Sequence, residues 1–332
     1  MNKLQVSVIG GGSWGTTVAS LVAENTDVSL WARSSETVNE INQRHTNEKY
    51  LPGATLPDNL TAFSDIASAV KAADVLVMGV PSNSFREVLA EVRPHLRPWV
   101  PVVSLTKGLE HGTDLRMTEV IEQELPRHPV GILTGPNLAR EIMAGQAAAS
   151  VLATDDDNIA AELQKLFNCG VFRVYTNDDV IGCELGGVLK NIIAIAVGMG
   201  IGLGAGDNTR SALITRGLAE ITRLGVALGG KAETFAGLAG MGDLLATCIS
   251  PQSRNHQVGV QLGKGRSTDE IIAEMVMVSE GVKSAPTVMK LAEKYNVEMP
   301  IATDVFEVIE GRMTPQAAFR GLLAREVGAE NH

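Results

Sequence analysis

The segment VSVIGGGSWGTTVASLVAE, residues 6–24, decides the fold of this chain. A short β-rich run leads into Gly10-x-Gly12-x-x-Gly15, and helical periodicity follows. In such a unit Gly10 permits the tight turn, Gly12 lets backbone approach a pyrophosphate, and Gly15 lets the helix pack closely on the strand. The helix N-terminus then offers free N–H groups to phosphates. The segment predicts dinucleotide binding, and the alternative is a glycine turn used only for packing.

Outside this segment, the first half of the chain alternates Val/Ile/Leu-rich runs with helical patterns. Strands are predicted at 4–10, 27–32, 74–80, 100–106, 129–135, 148–154 and 171–177. Helices are predicted between them at 14–24, 35–46, 84–93, 114–125 and 156–168. Near-continuous apolar strands separated by helices indicate a parallel sheet that is buried on both faces. We therefore predict an α/β Rossmann domain with a mostly parallel sheet.

Beyond about residue 180 the strand pattern ends, and the remainder is predicted to be all helical. The helices are expected at 179–205, 208–228, 243–248, 255–263, 268–274, 282–295, 302–309 and 315–323. A chain of 332 residues is long for one compact core. We predict a dinucleotide-binding domain over residues 1–188 and a helical substrate-binding domain over 189–332, with the ligand cleft between them.

The composition excludes several classes of protein. A net charge of −10 argues against nucleic acid as a partner, and an anionic substrate would need local cations. Cys169, Cys183 and Cys248 form no CxxC pair, and the six histidines are scattered, so no metal site is predicted. The first residues do not form a signal peptide. We expect a cytoplasmic protein without stable membrane insertion.

A long apolar run, ELGGVLKNIIAIAVGMGIG at 184–202, tests the membrane hypothesis. A spanning helix needs about 20 apolar residues. The apolar part extends only from Ile192 to about Ala205, and Asp207 follows directly. The run therefore predicts a buried helix of a water-soluble fold.

Lys190 lies just before the apolar part of this run. Burial would disfavour its charge and lower its pKa toward neutrality, which suits a group that passes a proton to and from a substrate oxygen. The alternative is a lysine that extends its amine to solvent at the end of a core helix. Asn191 could donate a hydrogen bond to the same oxygen or only cap local backbone. The local pattern leaves both questions open.

The end of the second predicted strand indicates which cofactor is preferred. An NAD site usually has Asp or Glu there, about 20 residues beyond the glycine loop. This chain instead has Arg33, followed by Ser34. A cation suits a 2′-phosphate, so we predict that NADP(H) is used at least as well as NAD(H). A solvated surface arginine is the alternative.

Two later strand ends carry polar groups that should face the cleft. Lys107 follows one strand in SLTKGLE, residues 104–110, although an ordinary loop lysine would look the same. The next strand ends in LTGPNLAREI, residues 133–142, where Gly135 and Asn137 precede a short helix. A helix start of this kind suits an anion.

The predicted helical half contributes further polar residues that are candidates for the site. Asp243 follows a glycine-rich turn, and Thr247 lies one helical turn further on. Ser253, Arg254 and Asn255 form a cluster in which arginine could hold a phosphate by two-point recognition and the others could donate neutral hydrogen bonds. Taken alone, Ser-Arg-Asn is also a common helix start.

Taken together, these motifs resemble the soluble, bacterial-type NAD(P)-dependent glycerol-3-phosphate dehydrogenases over essentially the whole chain. The matching motifs are GGGSWGT (10–16), WAR (31–33), YLPG (50–53), VPS (80–82), TKGLE (106–110), GPN-A-EI (135–142, with Leu138 and Arg140 between), ELGGVLKNIIAIAVG (184–198), GLAGMGDLLATC (237–248), SRNHQVG (253–259) and EG (280–281). The resemblance implies a Rossmann domain followed by a helical domain, and a homodimer. It also implies interconversion of dihydroxyacetone phosphate and sn-glycerol 3-phosphate, which supplies glycerophospholipid synthesis.

The resemblance also implies roles for individual residues. Lys190 corresponds to the catalytic proton donor and acceptor, Lys107 to a second lysine near substrate and cofactor, and Asp243 to their partner in the proton network. Asn191, next to Lys190, stays a catalytic candidate from its position alone. Substrate binding is implied for Lys107, Gly135, Asn137, Lys190, Asp243, Thr247, Ser253, Arg254 and Asn255. Cofactor binding is implied for Gly10, Gly12, Ser13, Trp14, Gly15, Arg33, Ser34, Lys107, Ala139, Arg254, Val278 and Glu280.

Two alternative functions remain open from the sequence. A related Rossmann reductase could act on a hydroxy or keto acid, which would not need a phosphate pocket. A redox sensor could bind NADP(H) without turnover, and it would not need Lys190, Lys107 and Asp243 to converge on one cleft.

Overall fold

The computed structural model describes residues 4–275 and 279–324. Its first half is built on a single eight-stranded sheet with the order β3-β2-β1-β4-β5-β6-β7-β8. The strands are β1 Gln5–Ile9, β2 Asp27–Trp31, β3 Leu60–Phe63, β4 Val75–Met78, β5 Val102–Ser104, β6 Val130–Thr134, β7 Ala148–Thr154 and β8 Phe172–Asn177.

Helices cover both faces of this sheet, as the apolar strands predict. They are α1 Ser13–Val22, α2 Ser35–Arg44, α3 Ile66–Val70, α4 Phe85–Val92, α5 Met117–Glu124, α6 Ala139–Met143 and α7 Asp157–Phe167, with 3₁₀ turns at Ser82–Ser84 and Arg93–His95. Two separate apolar clusters pack on the two faces, one against α1 and α7 and the other against α4 and α5. The predicted Rossmann domain is confirmed.

The sheet departs from the fully parallel pattern at one edge. The strands from β3 to β6 are paired in parallel, whereas β7 pairs antiparallel with β6, and β8 follows β7 in parallel. The connection from β6 to β7 holds only the five-residue α6. A parallel crossover usually needs a longer helix that returns the chain to the starting edge, and here the chain reverses direction instead.

The second half of the described chain is helical, which confirms the predicted fold class. Its helices are α8 Val180–Gly202, α9 Asp207–Ala227, α10 Ala232–Ala236, α11 Asp243–Ile249, α12 Arg254–Gly263, α13 Thr268–Glu274, α14 Glu280–Lys294, α15 Pro300–Ile309 and α16 Pro315–Ala324, with a π-helical turn at Leu238–Gly242. Helix α8 packs against β6 and β7 as well as against α9, α11 and α12. The division between residues 188 and 189 falls inside α8, so this helix belongs to the interface of the two halves.

Within the described residues, α8 is the one helix that is long and apolar enough to cross a membrane. In the protein, 89% of its most apolar stretch is buried. It is a buried helix, as the sequence predicts, and it packs against α9, α11 and α12 in the helical half.

Glycines bring α8 and α12 into backbone contact. A Cβ atom on Gly198 would lie 2.3 Å from a carbonyl oxygen of α12, and one on Gly259 would lie 2.1 Å from a carbonyl oxygen of α8. Gly202 and Gly263 repeat the arrangement one turn later, at 2.4 Å each. No side chain fits at such distances, so this crossing fixes the start of α12 relative to α8.

Candidate active site

The glycine loop has the geometry of a phosphate-binding turn. Gly10 has φ +128°, and a Cβ there would lie 2.5 Å from the Gly79 oxygen. A Cβ on Gly15 would lie 2.0 Å from the Gly10 oxygen. Above Gly12, by contrast, a Cβ would meet no atom within 4 Å. The space above Gly12 faces the N-terminus of α1 at Ser13, where free backbone amides favour an anion.

Ser13 and Trp14 are both engaged with the protein itself. The Ser13 hydroxyl donates to the Tyr50 carbonyl at 2.9 Å. The Trp14 ring packs edge-on against Phe172, with the ring centroids 6.2 Å apart. We therefore expect these two residues to contribute to a dinucleotide site mainly through backbone amides of the first turn of α1.

Arg33 and Ser34 follow β2, beside the glycine loop. The end of β2 lies close to the glycine loop because Gly11 has no side chain: a Cβ added there would lie 2.7 Å from the Ala32 Cβ. Arg33 is exposed, and the Ser34 hydroxyl caps α2 by accepting from the Thr37 amide at 3.4 Å. A cation is therefore present at the strand end where a 2′-phosphate would lie.

At the junction of the two halves, Asp243 bridges two lysines. Its Oδ1 accepts from Lys190 Nζ at 2.5 Å and its Oδ2 accepts from Lys107 Nζ at 2.7 Å. Lys190 also donates to Thr247 Oγ1 at 2.7 Å, and Lys107 donates to the Gly135 carbonyl at 2.9 Å. The group draws on α8, α11 and the loops after β5 and β6, and Lys190 and Asp243 are only 5% and 2% exposed.

Two glycines of α8 make room for this group. A Cβ on Gly187 would lie 3.3 Å from Lys107 Cγ, so the lysine stem lies directly over the bare helix backbone. A Cβ on Gly186 would lie 2.5 Å from the Ala239 carbonyl in the π-helical turn. A Cβ on Gly186 would push away the turn that leads to Asp243, whereas one on Gly187 would crowd the Lys107 side chain.

The π-helical turn Leu238–Gly242 leads directly into Asp243, the first residue of α11. Its hydrogen bond joins residues five apart, as in a π-helix: the Gly242 amide donates to the Gly237 carbonyl at 3.0 Å. Such turns insert an extra residue into helical backbone and are frequent at functional sites. Here the turn determines the direction in which Asp243 points.

The electrostatics of Lys190 suit proton transfer. Burial lowers its pKa from 10.5 to about 8, with a further lowering from the Lys107 cation and an opposing rise from the Asp243 carboxylate. An amine of this kind is protonated for most molecules at neutral pH yet can release its proton readily. The interpretation of Lys190 as a lysine that reaches solvent is wrong for this structure.

Asn191 and Asn255 bond to each other behind the lysine group. Asn255 Nδ2 donates to Asn191 Oδ1 at 2.8 Å. Asn255 Oδ1 accepts from the Gly281 amide at 2.9 Å and from the Ser279 hydroxyl. The Asn255 side chain thus links α8 to the start of α14, in addition to the substrate role that the resemblance implies.

The start of α12 places a cation near the same cleft. Ser253 caps the helix by accepting from the His256 amide at 3.2 Å, and Arg254 is exposed in the first turn. Burial raises the pKa of Glu280, whereas nearby cations, among them Arg254, lower it. Glu280 Oε2 lies 3.6 Å from the position of a Cβ on Gly108, next to Lys107. Glu280 therefore lies beside the loop that carries Lys107.

The loop after β6 contributes the remaining predicted residues. Gly135 has φ +136°, and Ala139 is the first residue of α6. Asn137 Nδ2 donates to Ser150 Oγ at 3.1 Å, while its Oδ1 is buried without a partner in the described part of the chain. Val278 lies outside the described residues.

Three structural features were not predicted from the sequence: the glycine pair under Lys107, the π-helical turn and the buried carboxylate of Glu184 on α8. Repeated glycine in an apolar helix was the available signal for the first of these.

No group of three or more His, Cys, Asp or Glu side chains that could hold a metal occurs in residues 4–275 and 279–324. A cavity of about 380 Å³ lies between β8, α7 and α10 and contains none of the predicted site residues.

A Rossmann sheet with an open phosphate turn, joined to a helical half through a helix with a buried lysine, is the arrangement expected of a dinucleotide-dependent oxidoreductase. Comparison with known proteins narrows this class to one family. The family model described as NAD-dependent glycerol-3-phosphate dehydrogenase N-terminus matches residues 5–160, and the corresponding C-terminus model matches residues 179–320. The chain belongs to the NAD-dependent glycerol-3-phosphate dehydrogenase family.

Individual relatives agree over the full length. A protein of Sphingopyxis alaskensis named glycerol-3-phosphate dehydrogenase (NAD(P)+) 2 is 68% identical over 99% of both chains. A protein of Mycobacterium tuberculosis named glycerol-3-phosphate dehydrogenase (NAD(P)+) 1 is 55% identical over 99% of this chain and 96% of its own. The crystal structure of glycerol-3-phosphate dehydrogenase from Coxiella burnetii has a TM-score of 0.92 at 38% identity, covering 97% of this chain and 99% of that one. The predicted family, fold class and enzyme class, an NAD(P)-dependent oxidoreductase, are confirmed.

Proposed function

We propose that this protein interconverts dihydroxyacetone phosphate and sn-glycerol 3-phosphate with NAD(P)(H), and that Lys190 is its proton donor and acceptor. The observation that carries the proposal is the buried Lys190–Asp243–Lys107 group at the junction of the two halves. The nicotinamide, when bound, exchanges hydride with the substrate carbon. The residues of this chain position the substrate and move the proton.

In reduction, the Lys190 ammonium gives a proton to the oxygen that becomes an alkoxide. In oxidation, the neutral amine takes that proton back. Asp243 and Thr247 hold Nζ in place through bonds of 2.5 and 2.7 Å. Lys107 adds positive charge where the oxygen becomes negative, which stabilises the transition state in a buried environment.

Substrate phosphate requires cations because the protein as a whole carries a net charge of −10. Arg254, exposed in the first turn of the ten-residue α12, supports a two-point contact to phosphate oxygens. The free amides of that turn add to the attraction. The unpartnered Asn137 Oδ1 could accept from a substrate hydroxyl. Ser253 and Asn255 complete the proposed phosphate site at the same helix start.

The cofactor is proposed to lie across the glycine loop, with its pyrophosphate above Gly12 and its adenosine end toward Arg33 and Ser34. Support comes from the open space above Gly12 and from the exposed cation at the end of β2. Glu280 and Ala139 are proposed to line the nicotinamide end, because both lie in segments that border Lys107 or Gly135.

We further propose that the protein is a cytoplasmic homodimer that supplies glycerophospholipid synthesis. The three cysteines are free and buried, which suits a reducing compartment. Exposed Tyr175 on the edge strand β8 offers apolar surface for a second copy. Sedimentation of the wild type and of Tyr175→Lys tests the dimer. A phospholipid defect that glycerol 3-phosphate relieves in a deletion strain would support the metabolic role.

The catalytic proposal is tested by NADPH oxidation with dihydroxyacetone phosphate. Lys190→Met should lower kcat by about a thousandfold, since the acid/base group is lost. NADPH affinity, measured by fluorescence titration, should change less than about twofold, because the glycine loop is untouched. Lys165→Met, at a lysine with a 71% exposed side chain on α7, is the control. Near-normal turnover of Lys190→Met would refute the role of this lysine.

A further inference from the structure

Glu184 is a fully buried carboxylate on α8 that the proposed chemistry does not use. Its side chain is 0% exposed. The carboxylate accepts from the Thr118 hydroxyl at 2.5 Å, from the Thr118 amide at 3.2 Å and from Arg116 Nη1 at 3.3 Å. All three donors belong to the start of α5 in the Rossmann half. Glu184 is therefore an ionic and hydrogen-bonded contact between the two halves of the protein.

The start of α5 takes an acceptor from elsewhere in the chain, because the one acceptor that α5 supplies itself, Glu119 Oε2, is bonded to the Arg116 amide at 2.9 Å. The first amides of a helix have no partner within it, and a side-chain acceptor at the residue before the helix usually satisfies them. In α5 that residue is Arg116, whose side chain has donors only. Glu184 provides the missing acceptor from another helix, and its negative charge is favourable at a helix N-terminus.

Arg116 and Lys107 belong to the same loop, so the position of one affects the position of the other. The loop of residues 105–116 folds back on itself, because Leu109 and Arg116 form an antiparallel bridge and the Glu110 amide donates to the Leu115 carbonyl at 2.8 Å. Lys107 lies two residues before this bridge. A shift of the Arg116 end of the loop would therefore move the Lys107 end as well.

Glu184, Gly187 and Lys190 are spaced three residues apart on α8, so they lie along one ridge of that helix. The same ridge thus holds the far end of the loop at Glu184, supports the Lys107 stem at Gly187 and presents the amine of Lys190 to Asp243. The distance between the two lysines depends on how the loop lies along this ridge.

We infer that Glu184 is a positioning residue: by binding the start of α5 it fixes the loop of residues 105–116 on α8, and so it holds Lys107 against Asp243 beside Lys190. The inference rests on the proposed function of the two lysines. It predicts a catalytic effect of Glu184 that is transmitted through Lys107, although Glu184 itself touches neither lysine.

The test is a double-mutant cycle between Glu184 and Lys107. Glu184→Gln keeps the side-chain shape but weakens the hold on Arg116 and Thr118, and it should lower kcat about tenfold with KM for NADPH unchanged. In the Lys107→Met background the same change should lower kcat less than about twofold, because the group through which it acts is gone. Equal losses in both backgrounds would overturn the inference.

Glu220→Gln is the matched control. Glu220 is also a buried carboxylate that caps another helix, accepting from the Ile301 and Ala302 amides at 2.7 and 3.1 Å at the start of α15. It should lower the unfolding temperature comparably and leave kcat unchanged. If Glu184→Gln fails to fold, Thr118→Val removes only the hydroxyl donor and should show the same coupling to Lys107.

The outcomes separate this inference from the proposed function. If Lys190→Met is inactive while Glu184→Gln and Thr118→Val both turn over normally, only the role of Glu184 is refuted. If Lys190→Met stays active, the lysine mechanism fails and the inference fails with it. A kcat loss in Glu220→Gln equal to that in Glu184→Gln would also overturn the inference, because it would reduce the Glu184 effect to general destabilisation.

Discussion

The pH dependence of catalysis should reveal the buried environment of Lys190. Its pKa is lowered from 10.5 to about 8. At pH 7 about one molecule in ten then carries the neutral amine, against about one in three thousand for an ordinary lysine. The structure therefore raises the proton-accepting form by about 300-fold at neutral pH, and burial is the main cause.

The pH dependence of kcat/KM has opposite signs in the two directions of the reaction. Reduction needs the ammonium, so kcat/KM for dihydroxyacetone phosphate should be level below about pH 8 and fall tenfold per unit above it. Oxidation of glycerol 3-phosphate needs the amine, so its kcat/KM should rise with pH and level off above the same point. Initial rates from NADPH absorbance, measured in constant-ionic-strength buffers in both directions, give the two profiles.

Two variants decide whether the titrating group is Lys190. The Asp243 carboxylate raises the Lys190 pKa and the Lys107 cation lowers it. The pH at which the kcat/KM profile changes slope, here called the break, should therefore move lower in Asp243→Asn and higher in Lys107→Met. It is measured on the activity that each variant retains. A break that moves in the opposite direction in either variant, or that keeps its position in both, would refute the reasoning.

Three further changes test other parts of the structure. Arg33→Asp should shift the kcat/KM ratio from NADPH toward NADH by about tenfold or more, because a carboxylate repels the 2′-phosphate and suits the 2′-hydroxyl; an unchanged ratio would contradict the assignment. Arg254→Gln should raise KM for dihydroxyacetone phosphate about a hundredfold, with NADPH affinity reduced much less. Gly198→Ala should lower the free energy of unfolding by about 2 kcal/mol in urea titrations, because its Cβ meets backbone. Gly200→Ala is its control, since a Cβ there meets only side-chain methyl groups, of Leu213 at 3.4 Å and of Ala205 at 3.6 Å.

The sequence predicts best the elements whose signal is local. The strand, turn and helix of this segment are found as predicted, because local backbone geometry requires two of its glycines: Gly10 by its positive φ and Gly15 by its contact with the Gly10 carbonyl. β3, at Leu60–Phe63, was not predicted, because a four-residue edge strand with exposed positions gives too short a pattern. The reversed direction of β7 was not predicted either, since strand direction depends on the connection and not on the strand residues.

The candidate site shows the same limit. Lys190 and Asp243 are 53 residues apart in the chain, and only the fold brings them together. Helix α8 is buried on nearly all sides, so no polar face separates a site lysine from an ordinary one. Glu184 gave no signal at all, because its partners belong to α5, in the other half of the protein.

The direction of the Asp243 carboxylate depends on the number of residues in the π-helical turn that precedes it. An α-helix advances about 100° per residue, so removing one residue from the turn would continue a regular helix and rotate the next side chain by about that angle. Deleting Met241 would keep every polar group of the site in the sequence, yet Asp243 would face away from both lysines. A one-residue deletion here should therefore disconnect the Asp243 carboxylate from both lysines, and it should also turn the core residues Leu244 and Cys248 of α11 out of their packing.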